Sequence, residues 1–349
     1  MLDKLRPVKR KINALIPTLP IISFIIPLII LYTLYAYSFE QTYQGRTLHL
    51  FFIWLISLEA ILSWEKLQKN KINKLWSIRT ITFIIILLLP TIYVIAANYC
   101  GLNLVLENLA KQNNVGAHWA RLIPLSAEYI IFAVIFCLMV ILAYGVNKLT
   151  DFSIPLFFSG IIGLIFTIDN LYPYGRFTPF QAIVPTTATL AANVLNMMGF
   201  RTQLTFITSV TYGYMPYLLA WNPQNPLEIA RFGIAWPCAG VESLLIFTVT
   251  IALFLRRTNI SWKTGIFYFA VGAIVTYFIN ILRIVNIFLV SMVYGYPSPE
   301  GQKAHDFYGP LYSMVWIISY PLIIIGSRIL WDKIKNRKKI QPSLSVEHG

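Results

Sequence analysis

Apolar runs long enough to cross a membrane recur along this chain and fix the class of fold it can adopt. They lie near residues 20–39, 48–64, 79–98, 123–146, 154–169, 238–255, 264–294 and 311–331, and crossing a hydrocarbon core about 30 Å thick takes roughly 17 to 25 helical residues. Backbone polar groups in lipid must be satisfied within the protein, so such runs become helices unless a closed barrel forms. The mean hydropathy of +0.65, with 57% hydrophobic and 12% charged residues, agrees with a polytopic membrane protein and excludes an ordinary water-soluble domain. The expected class is therefore an all-α polytopic membrane protein of about eight transmembrane helices.

The net charge of +14 does not point to nucleic acid. Basic residues gather at the ends of the apolar runs, in the arm before residue 20, between Glu65 and Arg79, at Arg256, Arg257 and Lys263, and from Arg328 onward. With about eight spans all four clusters fall on one side, which the positive-inside rule makes the cytoplasm. Both termini are then cytoplasmic, in a multi-pass protein of the cell membrane. The apolar run after the basic arm lacks a small-x-small cleavage site and reads as an uncleaved first span. The expected organisation is one integral membrane domain over 1–349: a basic arm (1–19), five N-terminal spans (20–169), an extracytoplasmic segment (170–237), the spans of 238–331 and a tail (332–349).

Within the 170–237 segment, residues 182–199 mix small, polar and apolar side chains and predict a re-entrant or interfacial helix. Thr202 to Tyr214 is rich in Thr, Tyr, Val and Phe and predicts a small extracytoplasmic β-hairpin leading into Cys238. The short run at 154–169 carries Gly160 and Gly163, which suit close helix contact.

Three polar residues stand apart from this apolar background. Cys238 sits on the turn Pro237-Cys238-Ala239-Gly240 immediately before an apolar run. The cysteines Cys100, Cys137 and Cys238 are widely spaced, so neither a zinc site nor a disulfide framework is indicated. Arg283 lies in the run from Gly265 to Tyr294, where an arginine is costly and ordinarily faces a polar cavity. At about 1.5 Å per residue that run exceeds the apolar core, so it must project, tilt or break. His305 follows it, in a short loop before the last span. The topology puts all three on the outer side at similar depth. A thiol, a fixed cation and a titratable base suffice for acyl transfer, with Cys238 as nucleophile, His305 as proton carrier and Arg283 holding the thiolate or the oxyanion. Glu242, Asn280 and Asp306 are the supporting candidates. Glu242 can orient His305 or pair with Arg283, Asn280 can fix Arg283, and Asp306 can orient His305, although sequence adjacency argues against direct contact. Glu59, Glu128 and Asp169, in or near other spans, read as partners in helix packing.

Pro237-Cys238-Ala239-Gly240-Val241, then Asn280-Ile281-Leu282-Arg283-Ile284 within a span, then His305 before a final span, resembles the exosortase/archaeosortase family. The position after the cysteine, often Ser or Thr in that family, is Ala239 here. The resemblance implies a membrane cysteine transpeptidase with Cys238, Arg283 and His305 as its catalytic set and no metal or organic cofactor. It implies as partners secreted proteins ending in a recognition motif, a transmembrane helix and a basic cluster, with an amine-bearing lipid acceptor. Two other readings fit the composition: a transporter component with Arg283, Glu242 and Asp169 along a polar path, and a non-catalytic envelope scaffold.

Overall fold

A computed structural model describes residues 18–64, 78–209, 213–258, 260–296 and 298–344. The basic arm, most of the basic loop after residue 64 and the end of the tail lie outside the described residues.

The apolar runs form helices α1 (Leu19–Leu34), α2 (Thr47–Leu62) and α3 (Ile78–Tyr99). After the amphipathic α4 (Leu102–Gln112) come α5 (Ile123–Tyr144) and α6 (Ser153–Leu171). Next are α7 (Val184–Met197), the strands β1 (Arg201–Ser209), β2 (Gly213–Asn222) and β3 (Asn225–Gly233), and α8 (Val241–Arg257). The chain ends in α9 (Trp262–Tyr294) and α10 (Gly309–Leu344). Among the described residues, five helical segments are long and apolar enough to cross a membrane, and α1 and α2 are shorter apolar helices. Their outer surfaces are those of a protein dissolved in lipid: on α3, Ile84, Ile85, Leu88 and Ile92 are exposed while Phe83, Ile86 and Val94 are buried.

Helix α6 packs on α2, α5 and α8, so it stands between an N-terminal group (α1, α2, α3, α5) and a C-terminal group (α8, α9, α10). Inside lipid the drive to associate comes from van der Waals contact, and small residues allow it. A Cβ on Gly163 would lie 2.6 Å from Ile130 Cγ1 and 2.9 Å from Ile130 N, so only glycine lets α6 approach α5 this closely. Gly160 makes only ordinary contact there. The N-terminal core is aromatic, with Phe24 edge-on to Phe52 at 5.3 Å and to Phe132 at 5.2 Å.

The run that must project, tilt or break does not break. Helix α9 is continuous over 33 residues, roughly 50 Å at 1.5 Å per residue, so it tilts or projects. Helix α7 has 14 residues, about 21 Å, too short to cross. It buries Val184, Thr187, Ala188, Ala191 and Leu195 against the sheet and α9, which suits the interfacial helix expected for 182–199.

The expected hairpin is a three-stranded antiparallel sheet, ordered β1-β2-β3. Two prolines, Pro223 and Pro226, argue against strand in this region. Pro223 falls in the tight turn and Pro226 in the register shift opposite Trp221 and Asn222, where the ladder does not need its missing donor. Asn222 Nδ2 and Asn225 Nδ2 donate to the two carboxylate oxygens of Glu228 at 2.7 and 2.9 Å and close that turn. These hydrogen bonds hold the half-buried Glu228 below the usual carboxylate range.

Candidate active site

The segment from Trp236 to Gly240 is fixed from both ends. Trp236 is fully buried and edge-on to Phe180 at 5.1 Å, and Ala239 N–H donates to Ala235 O at 3.0 Å, which curls the chain into a turn. Gly240 then takes φ +90°, a left-handed conformation that starts α8. A Cβ there would lie 2.6 Å from Asn280 Cγ, so conformation and space both demand glycine. Asn280 uses the room: its Nδ2 donates to Cys238 O at 3.1 Å, tying the turn to α9. Cys238 is thus held just before a helix N-terminus, half-buried.

His305 faces it. After a short helix (Pro299–Lys303), capped by Ser298 Oγ accepting from Gly301 N–H, the chain widens into a π turn at Ala304–Tyr308 before entering α10. Single π turns are rare and gather at functional sites. His305 Nε2 lies 3.5 Å from Cys238 Sγ, and His305 Nδ1 lies 2.6 Å from Asp306 Oδ1. The direct contact between neighbours 305 and 306 corrects the expectation drawn from their adjacency. On an α-helix successive side chains diverge, whereas the wider π turn brings these two together. The carboxylate can only accept, so Nδ1 carries a proton and Nε2 exchanges its own with the sulfur. That tautomer is the one a general base needs.

Arg283, one turn along α9 from Asn280, is 3% exposed. Its Nε has no partner, and among the described residues the guanidinium makes no hydrogen bond or ion pair. Gly309, the first residue of α10, leaves the space Arg283 occupies: a Cβ there would stand 2.5 Å from Nε. Cys238 and Glu242 both lie within reach of the guanidinium charge. Glu242 is buried, yet it forms neither the ion pair with Arg283 nor the hydrogen bond to His305 that sequence allowed. Burial pushes the Cys238 thiol up, but the opposing His305 charge and hydrogen bond, then Arg283, bring it net below the usual thiol range. A lowered thiol pKa raises the share of thiolate, the form in which sulfur acts as a nucleophile.

A cavity of about 460 Å³ opens on this sulfur. It is lined by Pro237, Cys238 and His305, by Ile207, Met215, Tyr217 and Gly233 of the sheet, and by Tyr43, Trp119, Asp169 and Tyr174. Asp169, at the end of α6, was read from sequence only as a packing partner. Its Oδ2 accepts from Tyr43 Oη and, at 3.1 Å, from Gln44 Nε2, while Oδ1 is buried without a partner. Burial and then the neighbouring Asp169 hold the Tyr43 phenol well above its usual range, so it remains a donor.

The segment carrying Tyr43 and Gln44 also supports the π turn. Thr42 N–H donates to Asp306 O at 3.0 Å, Thr42 Oγ1 to Asp306 O at 2.8 Å and Phe307 O at 3.1 Å, and Tyr43 N–H to Asp306 O at 3.3 Å. Two residues on, the segment is anchored in the N-terminal group. Arg46 grips Glu128 bidentately at 2.9 and 2.8 Å, His49 Nε2 meets Glu128 Oε1 at 2.8 Å, and Tyr129 Oη donates to Gly45 O at 2.8 Å. Burial disfavours the Arg46 charge, but Glu128 outweighs it and raises the guanidinium pKa. Glu59 pairs with Arg257, so the ends of α2 and α8 lie on the side of the bundle away from Cys238.

The family model of transmembrane exosortases (Exosortase_EpsH) matches residues 44–320, an interval that contains Asp169, Cys238, Asn280, Arg283 and His305. No curated protein and no solved structure matches the chain.

Proposed function

The chain belongs to the transmembrane exosortase family, and on that premise we propose that it is a membrane-embedded cysteine transpeptidase cleaving a C-terminal sorting signal from secreted surface proteins. The observation that carries this reading is the 3.5 Å approach of Cys238 Sγ to His305 Nε2, from segments 67 positions apart, beside a buried arginine that forms no ion pair among the described residues.

In the mechanism, the Cys238 thiolate attacks the carbonyl carbon of the scissile peptide bond. The oxyanion that forms meets the Arg283 guanidinium, a fixed donor of a kind worth about 3 kcal/mol of barrier. His305, protonated between Asp306 and the sulfur, gives its Nε2 proton to the leaving nitrogen as the C–N bond breaks. The upstream peptide stays on sulfur as a thioester, and an amine-bearing acceptor, a lipid head group in this proposal, resolves it to an amide. The orientation that serves such a substrate has both termini in the cytoplasm and the cavity on the extracytoplasmic face. There a substrate helix in the bilayer presents its juxtamembrane peptide at the depth of Cys238. No metal or organic cofactor takes part in these steps.

The test is Cys238→Ser in a strain carrying a surface protein with a sorting tail, followed by mass and gel mobility. The expected result is unprocessed precursor with normal membrane insertion of the variant. Normal processing by Cys238→Ser would end the proposal.

A further inference from the structure

The cavity that holds the sulfur contains a feature the cleavage step does not use. Asp169 is 1% exposed, and no cation among the described residues lies within ion-pair distance of it. An isolated buried carboxylate is costly unless something compensates its charge. Its Oδ2 is occupied by Tyr43 and Gln44, while its Oδ1 accepts from none of the described residues. Around it the cavity wall is aromatic, with Tyr43, Trp119, Tyr174 and Tyr217 all lining the same space. A buried carboxylate and aromatic side chains lining one cavity match the recognition of an ammonium group, where the ring quadrupoles and the negative charge add.

We infer that the Asp169 end of the cavity is the seat of the acceptor, and that it recognises a primary ammonium group. The inference rests on the transpeptidase reading and adds to it the place and chemistry of the second substrate. Asp169 takes one proton from the bound ammonium, and the free amine attacks the Cys238 thioester carbon, forming a C–N bond. The C–S bond breaks and its electron pair stays on sulfur. His305, neutral since it protonated the leaving nitrogen, takes the second proton from the attacking nitrogen. The thiolate–imidazolium pair is restored, and Asp169 releases its proton to water. Water entering the same space would instead give hydrolysis, so the ammonium seat also decides which product forms.

Binding tests this apart from catalysis. Full-length Cys238→Ala protein in nanodiscs of phosphatidylglycerol, a lipid without nitrogen, is titrated with ethanolamine by calorimetry. The expected result is saturable binding, with which choline, a quaternary ammonium that has no N–H to donate, competes only weakly. Asp169→Asn should weaken it about tenfold or more, the scale of a lost hydrogen bond to a charged group. Trp119→Leu should weaken it about threefold to thirtyfold, and it carries the test by itself should Asp169→Asn fail to assemble. In a second arm, phosphatidylethanolamine is added to the disc. Displacement of ethanolamine identifies a lipid head group as the source of the ammonium, and undiminished binding identifies a soluble amine. Absence of binding, or equal binding with Asp169 and Trp119 replaced, overturns the inference. Because the nucleophile is missing throughout, that failure would leave the cleavage reading standing, while normal processing by Cys238→Ser would leave the binding result intact.

Discussion

Gly309→Ala is the substitution that most directly tests where the arginine must sit. Gly309 has φ −55° and ψ −62°, so alanine adopts its backbone without strain. Alanine also has the higher helix propensity by about 1 kcal/mol, so a folding defect is not expected from the backbone. The new methyl would stand 2.5 Å from Arg283 Nε and 3.1 Å from its Cγ and Cδ. Ordinary contact begins near 3.4 Å, so the side chain must retreat by roughly 1 Å, a misplacement that can lower a rate about a hundredfold. That corresponds to about 2.7 kcal/mol of transition-state stabilisation. The assay is single-turnover cleavage of a tail-bearing substrate by full-length protein in nanodiscs, alongside the rate of Cys238 alkylation. The expected outcome is slow cleavage with alkylation changed little, because the His305 contact that chiefly activates the sulfur is untouched. Wild-type cleavage by Gly309→Ala would refute the reasoning, since Arg283 would then be dispensable at its observed position.

Three further outcomes follow from the same geometry. His305 is the main group holding the Cys238 thiol below its usual range against burial, so His305→Ala should move the midpoint of its iodoacetamide reactivity upward in pH; the test uses a background with Cys100 and Cys137 replaced by Ser, and an unmoved midpoint would show that the two do not interact. Glu128→Gln leaves the Arg46 guanidinium buried without its carboxylate and should cost about 3 kcal/mol, read as a lower thermal midpoint in detergent. Thr42→Val keeps the volume but removes the hydroxyl bonds to Asp306 O and Phe307 O, about 1 kcal/mol in stability. It should slow cleavage severalfold with KM unchanged, whereas a rise in KM alone would assign the segment to substrate binding.

What could be read in the sequence divides by range. Helices α1 to α3, α5, α6 and α8 to α10 follow the apolar runs because lipid leaves the backbone no other economical state. The parity of the spans between them puts Cys238 and His305 on one side, while their contact is a finding of the structure. The third strand did not show, because prolines 223 and 226 mark a turn and an irregular register, and sequence alone does not separate these from a break. The π turn left no trace either, since its residues have no composition that distinguishes it from a loop. The Thr42 bonds to the 306 and 307 carbonyls join backbone positions 264 and 265 apart, and no side-chain pattern records such pairing. Asp169 was different. It carried the signal that singled out Arg283, an ionisable side chain in an apolar run, but no neighbouring motif gave that signal a chemistry.

The bond from Thr42 to the turn at His305, with Arg46 locked onto Glu128, makes the first third of the polypeptide a working part of the proposed catalytic apparatus rather than its mooring. A shortened enzyme beginning beyond residue 100 would retain the sulfur, guanidinium and imidazole yet leave the imidazole on an unbraced hinge. For the same reason, chimaeras between relatives should inherit residues 41–46 together with the helices that grip them. A junction drawn just before Cys238 would sever an alignment that no local repair at the reacting groups can replace.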